Sequence, residues 1–178
     1  FEYVSGFAVG GHETVKMASV YYDTPERELA QQKITLRLRD ENGKKVMTLK
    51  GPSDPSERAK GLSVREEHEL EVHGFEEGFK AFRESFLKGL KGRPEPVCGV
   101  EFIRKRTVLN VNGTEMEFAF DKGYFGEKDA DFCETEIELI KGDEAVFVEF
   151  STKLREEFGL LPEKHSKYRR ALEHAQRR

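Results

Sequence analysis

The stretch Leu36-Arg37-Leu38-Arg39 alternates aliphatic and guanidinium side chains residue by residue. Side chains two apart on an extended strand share a face, so the arginines stand on one side and the leucines on the other. The pattern recurs outward along the chain. Thr48 and Lys50 stand opposite Met47 and Leu49. Arg65, Glu67, Glu69 and Glu71 share a face, against a half-apolar set of Glu66, His68, Leu70 and Val72. Arg104 and Arg106 follow, and then Glu115, Glu117 and Asp121 opposite Met116, Phe118 and Phe120. Glu134, Glu136 and Glu138 stand opposite Ile137 and Leu139. Successive strands therefore each set Arg, Lys, Glu or Asp on one face.

Periodicity predicts strands over 17–22, 34–39, 45–50, 64–72, 101–111, 115–121 and 134–140. Asn42-Gly43 and Asn112-Gly113 are hairpin turns between alternating segments. Residues 51–61 read as a turn-rich loop. Phe75, Phe79, Phe82, Phe86 and Leu90 recur at helical spacing until Gly92-Arg93-Pro94 ends the run. Asp143 caps a second helix with a stripe of Phe147, Phe150, Leu154 and Phe158. Gly159 and Pro162 break it, and a basic helix follows from about Glu163. Strands joined by hairpins, with helices between and after them, predict an antiparallel α+β fold.

The 178 residues are read as one domain, 1–178, long enough to bury a core without disulfides or a structural metal. Charged residues make up 36% of the chain, yet 14 Phe and 5 Tyr carry too much aromatic surface for a disordered one. A net charge of -4 argues against a general nucleic-acid binder. No run is long and apolar enough for a membrane span. Cys98 and Cys133 lack metal spacing and form no disulfide framework, which fits a cytoplasmic location.

A charged sheet face has two readings. It can be a solvated surface opposite the core. Alternatively, amphipathic helices cover the apolar face from outside and the charged face curves inward, where its charges pair with one another or with a ligand. The near-exclusive use of Arg and Glu favours the second, and the solvated surface stays open on chemistry alone. Arg and Lys bind phosphate oxygens, and clustered carboxylates hold Mg²⁺ or Mn²⁺, so both signs together suit a polyanion bound with metal.

Tyr21-Tyr22-Asp23-Thr24-Pro25, Leu36-Arg37-Leu38-Arg39 and Thr48-Leu49-Lys50 resemble the first half of a CYTH domain, of the triphosphate tunnel metalloenzyme superfamily. Phe102-Ile103-Arg104-Lys105-Arg106, Glu115-Met116-Glu117, Asp121-Lys122-Gly123, Glu134-Thr135-Glu136-Ile137-Glu138 and Ser166-Lys167-Tyr168 resemble its bacterial inorganic triphosphatase branch. The resemblance implies a closed antiparallel β-barrel, a tunnel of about eight strands with flanking helices. It implies metal-dependent hydrolysis of inorganic triphosphate to pyrophosphate and phosphate. Thiamine or nucleoside triphosphate hydrolysis, class IV-type adenylate cyclase activity and non-catalytic polyphosphate binding are the alternatives.

By position, Arg37, Arg39, Lys50, Arg65, Arg104, Arg106 and Lys167 would hold the substrate. Glu67, Glu69, Glu115, Glu117, Asp121, Glu136 and Glu138 would serve the Mg²⁺ or Mn²⁺ site, with Glu67 and Asp121 as the catalytic pair. The partner implied is a small triphosphate, without nucleic acid or membrane, and oligomeric state stays open, a homodimer included. The family's Glu-x-Glu-x-Lys first strand does not stand at this N-terminus, so that strand is expected to be missing from the sequence in hand.

Overall fold

A computed structural model describes residues 2–53, 65–126 and 130–177. One antiparallel sheet holds seven strands: β1 (Glu13–Asp23), β2 (Thr35–Glu41), β3 (Lys44–Ser53), β4 (Arg65–Glu71), β5 (Glu95–Val111), β6 (Thr114–Phe125) and β7 (Ala130–Lys141). Their spatial order is β4-β3-β2-β1-β5-β6-β7. The helices are α1 (Glu2–Ser5), α2 (Glu28–Gln31), α3 (Phe75–Ser85), α4 (Glu144–Glu157) and α5 (Lys167–Gln176).

Both hairpin turns form as expected. Asn42 and Gly43 take φ of 53° and 93°, Asn112 and Gly113 take 51° and 82°, and each pair is the whole loop between its strands. Positive φ at both central residues matches the turn to the right-handed strand twist. The turns fix the register of β2 on β3 and of β5 on β6. The expected loop over 51–61 does not begin at residue 51. Residues 51–53 extend β3, and the remainder lies outside the described residues, as does Val64.

Two helices cover the outer face of the sheet. Under α3, Phe79 and Phe82 pack on Leu36, Met47 and Leu49. Phe86 and Leu90 fall beyond the helix, because the Leu87 N–H reaches back to the Phe82 carbonyl and unwinds the last turn. Leu87 and Leu90 still join that cluster. Under α4, Phe150 and Leu154 pack with Val4 on Leu109, Met116 and Phe118. Asp143 caps α4 by accepting from the Ala145 N–H.

The third helix does something else. A basic helix is expected from about Glu163, with Lys167 at the site. The helix observed, α5, begins at Lys167, capped by Ser166, and packs on the inner face of β5. Its Ala171 and Tyr168 join Val15, Met17, Tyr21, Val100, Phe102, Phe125 and Phe132. These residues share strand parity with the charged set, so one end of the inner face is apolar and filled by α5. β5 records the change: Val100 and Phe102 are buried inward, and beyond Arg106 the buried residues Thr107 and Leu109 face out.

The sheet curls, bringing its two edges toward each other. Glu138 of β7 feels the charge of Glu67 on β4, and Arg39 of β2 feels that of Arg104 on β5. Among the described residues β4 and β7 have no hydrogen-bonded neighbour on their outer sides. Of the expected barrel of about eight strands, the described residues form seven, in one curled antiparallel sheet.

Candidate active site

Antiparallel register converts the sequence alternation into rows of facing side chains across the curl. One row runs Tyr21, Arg37, Thr48, Glu69 from β1 to β4. The next rows carry Arg39 opposite Ser19, and Lys50 opposite Glu67. On the other side, Arg104 faces Asp121 and Asp121 faces Glu134; Arg106, Ala119 and Glu136 form a second row; Glu117 faces Glu138. The charged residues read from parity thus line one concave face, and they divide into two walls.

The wall of β2–β4 is basic. Arg37 Nη2 donates to Thr48 Oγ1 at 3.1 Å, and Thr48 Oγ1 donates to Glu69 Oε1 at 3.0 Å. Glu69 stays 3.7 Å from the nearest nitrogens of both Arg37 and Arg39. Arg39 pairs with Glu41, and Lys50 with Glu67 at 2.7 Å. Arg37 and Arg39 each bury Nε without a hydrogen-bond partner. Burial, reinforced by the Arg37 charge, lowers the pKa of Arg39, and the same two causes lower that of Lys50 in spite of Glu67. At Arg39 and Lys50, burial and the repulsion of Arg37 outweigh the neighbouring carboxylates.

The wall of β5–β7 with α5 is acidic and largely self-paired. Arg104 grips Asp121 through two bonds of 2.8 Å and also bonds Glu136. Lys167 Nζ sits among three carboxylates, 2.9 Å from Asp121, 2.7 Å from Glu136 and in contact with Glu134. Arg170 pairs with Glu134 and lies over the rings of Phe125 and Phe132. Although burial opposes it, the carboxylates raise the pKa of Arg104 and of Lys167. Burial would raise the Glu136 carboxyl, but Lys167 and Arg104 outweigh it and hold it well below the usual range.

Glu138 behaves differently. Burial, then the negative charge of Glu67, raises its pKa; Lys50 opposes, and Glu117 and Glu136 add to the rise. Glu138 thus stands between the two walls beside Glu67, which pairs with Lys50, and Glu117, which Arg106 approaches at 3.5 Å.

Two groupings of carboxylates bear on a metal. Asp121, Glu134 and Glu136 offer ligand atoms within 4.8 Å of one another, a hard oxygen set suited to Mg²⁺ or Mn²⁺. The ammonium of Lys167 already stands among them. Glu138 faces the like charges of Glu67, Glu117 and Glu136, which an added cation would relieve.

The remaining sequence candidates fall as follows. Arg106 pairs with Glu13 and approaches Glu117 at 3.5 Å. Arg65 lies near Lys50 and adds to the charge acting on it. Glu115 is not brought to the site: a register shift between Glu115 and Met116 displaces it, and it pairs with Lys141 at 3.0 Å. Asp23 is a structural cap, accepting from the N–H groups of Thr24, Leu29 and Ala30. Thr48, Tyr21, Glu134 and Arg170 were not picked as site residues from the sequence. Cross-strand register would have found the first three, since each lies directly opposite a chosen residue.

Comparison with known proteins agrees with this geometry. The CYTH domain family matches residues 2–172. An inorganic triphosphatase of Haemophilus influenzae is 28% identical over 151 residues, covering 80% of this chain and 41% of that protein. The chain thus spans less than half the length of that relative. Among solved structures, a Hippeastrum protein described as having a dominant triphosphatase activity superposes with a TM-score of 0.68 at 21% identity, covering 97% of this chain and 87% of that one. A protein of Pyrococcus horikoshii gives 0.60 at 22% identity, with 98% and 92% covered. At such identities these likenesses speak for the fold.

Proposed function

This chain belongs to the CYTH domain family, and from that premise we infer that it hydrolyses inorganic triphosphate to pyrophosphate and phosphate within the curled sheet. The observation that carries this reading is the half-buried wall of Arg37, Arg39 and Lys50 across the curl from Glu117 and Glu138, with the pKa of Arg39 and Lys50 lowered and that of Glu138 raised. A polyanion accompanied by a divalent cation supplies what each side lacks. Phosphoryl transfer needs positioning and charge neutralisation more than covalent help.

In this reading Arg37, Arg39, Lys50 and Arg65 hold phosphate oxygens, with Arg106 at the border of the acidic wall. Glu138, with Glu67 and Glu117, holds Mg²⁺ or Mn²⁺, which neutralises phosphate charge when bound. Glu67, hydrogen-bonded to Lys50 at 2.8 Å, also orients the attacking water. Asp121, wholly buried and gripped by Arg104, positions Arg104 and Lys167 rather than touching substrate. Glu136 belongs to that same pairing, and Glu69 restrains the basic wall instead of taking metal. An eighth strand in the gap between β4 and β7 would close the curl into a tunnel.

The test is phosphate release from tripolyphosphate, assayed with Mg²⁺, with Mn²⁺ and with chelator. Metal-dependent release of one phosphate per triphosphate is expected. Tight binding without release would make the protein a polyphosphate-binding module instead.

A further inference from the structure

We propose that Thr48 is a positioning residue, whose buried hydroxyl fixes the Arg37 guanidinium in place for a phosphate oxygen. The inference rests on the triphosphate reading above and deepens it.

Thr48 is fully buried, in the centre of β3, yet its hydroxyl points into the charged face. A threonine hydroxyl has one proton to donate and lone pairs to accept. Here the proton goes to Glu69 Oε1, so a lone pair is left facing Arg37 Nη2, and the direction of the bond is set. On its other side Arg37 has Tyr21, its register partner on β1, as neighbour, and the Arg37 charge acts on that phenol. The guanidinium is thus held by a neutral hydroxyl, with its nearest carboxylate at 3.7 Å.

The comparison with Arg104 shows why this matters. A carboxylate in Thr48's place would orient Arg37 equally well but would also neutralise it, as Asp121 does for Arg104. A valine there would leave the charge but not the direction. Threonine gives direction without compensation, and its β-branched shape suits the strand. A preset fork loses less rotamer freedom when the anion arrives.

The experiment compares wild type with Thr48→Val, Thr48→Ser and Arg37→Ala, using tripolyphosphate with Mn²⁺ as the probe. Thermal unfolding and NMR of the guanidinium protons accompany the kinetics. Thr48→Val keeps the side-chain shape and lets the half-exposed Glu69 rehydrate, so folding should persist. Expected is a KM about tenfold higher, the low end of what one hydrogen bond to a charged group contributes. The turnover number should change much less, since a binding group has been loosened rather than removed. Thr48→Ser should restore the wild-type KM, and rotation of the Arg37 guanidinium should be faster in Thr48→Val alone. A Thr48→Val protein with wild-type KM and guanidinium rotation would overturn the proposal. So would Thr48→Ser failing alongside Thr48→Val with a lowered Tm, which would mark a packing role. A wild type that takes no triphosphate would instead sink the functional reading, while the rotation measurement would still judge the Thr48 contact.

Discussion

The two walls of the site use the same residue types to opposite ends. On the acidic wall, Arg104 and Lys167 are each surrounded by carboxylates, and their pKa values rise in spite of burial. On the basic wall, Arg39 and Lys50 each have one carboxylate partner in direct contact, and their pKa values fall. Burial disfavours the charged form on both walls, so the sign of the shift reports how completely neighbours compensate. In the proposed reading, the cations among carboxylates hold the fold and those of the basic wall meet the ligand. Strand parity alone groups Arg37, Arg39 and Arg104 as equals, and their partners separate them.

Substitution on the two walls should give the largest contrast. Removing Arg104 leaves Asp121, wholly buried, with Lys167 as its remaining charged partner, and exposes Glu136 to less compensation. Breaking a buried ion pair from one side costs about 3–5 kcal/mol. Arg104→Ala should therefore lower stability by about that amount in urea denaturation without any ligand present. Arg39→Ala should do the reverse: stability held or slightly raised, because like charges nearby are relieved, and triphosphate affinity down roughly ten- to a hundred-fold. Equal loss of stability in both variants would erase the distinction between the walls.

That contrast also marks where the sequence is legible. Leu36-Arg37-Leu38-Arg39 and Glu134-Thr135-Glu136-Ile137-Glu138 show strand parity because the side-chain period is two, and the Asn-Gly pairs show register because their backbone angles permit few other turns. From these the strands, the shared face and most of the charged residues follow. The placement of α5 does not. Its amphipathic pattern shows an apolar side but not which face of the sheet that side will meet, and the inner apolar patch is spread over Val15, Val100, Phe102, Phe125 and Phe132 on four strands. Closure is also illegible, because it depends on whether β4 and β7 find neighbours. Pairing within the walls is a third-dimensional fact: Lys167 reaches Asp121, 46 positions away, only because α5 enters the curl.

A pH titration tests the acidic wall at smaller scale. The folded-state carboxyl of Glu136 lies below its ordinary value of 4.5, so the unfolded state binds the proton first. Its contribution is fully present above that value and is lost as pH falls through the lower folded-state pKa. Lys167, raised above 10.5, contributes fully below that value and loses its contribution as pH rises through the higher folded-state pKa. Glu136 is about half exposed, with 48% of its side-chain surface accessible, so solvent screening reduces its share to about 1 kcal/mol. Glu136→Gln should remove that much of the acid-side dependence between about pH 4.5 and 2 in denaturation measured across pH. An unchanged acid limb would mean that Asp121 and Glu134 alone satisfy Lys167.

The smallest effect concerns the group between the walls. Glu138 has its pKa raised by burial and by Glu67, so at neutral pH its negative charge works against the metal-free fold. By the same linkage, the fold gains stability as pH falls toward that raised value and the carboxyl takes up a proton. Glu138→Gln removes the charge at nearly constant shape; because Glu138 is exposed and screened by solvent, metal-free stability should rise by only about 0.5 kcal/mol, near the limit of resolution of urea denaturation. The same substitution should abolish most of the stabilisation that Mn²⁺ gives the wild type, because an ion that binds the folded state alone stabilises it by mass action. The two measurements therefore move in opposite directions for one residue. Glu136→Gln, whose carboxylate already serves Lys167, should instead lose metal-free stability. If Mn²⁺ stabilised Glu138→Gln fully and Glu136→Gln not at all, the ion would sit among Asp121, Glu134 and Glu136. Lys167 would then have to leave them, and the acidic wall would prove as available to a ligand as the basic one.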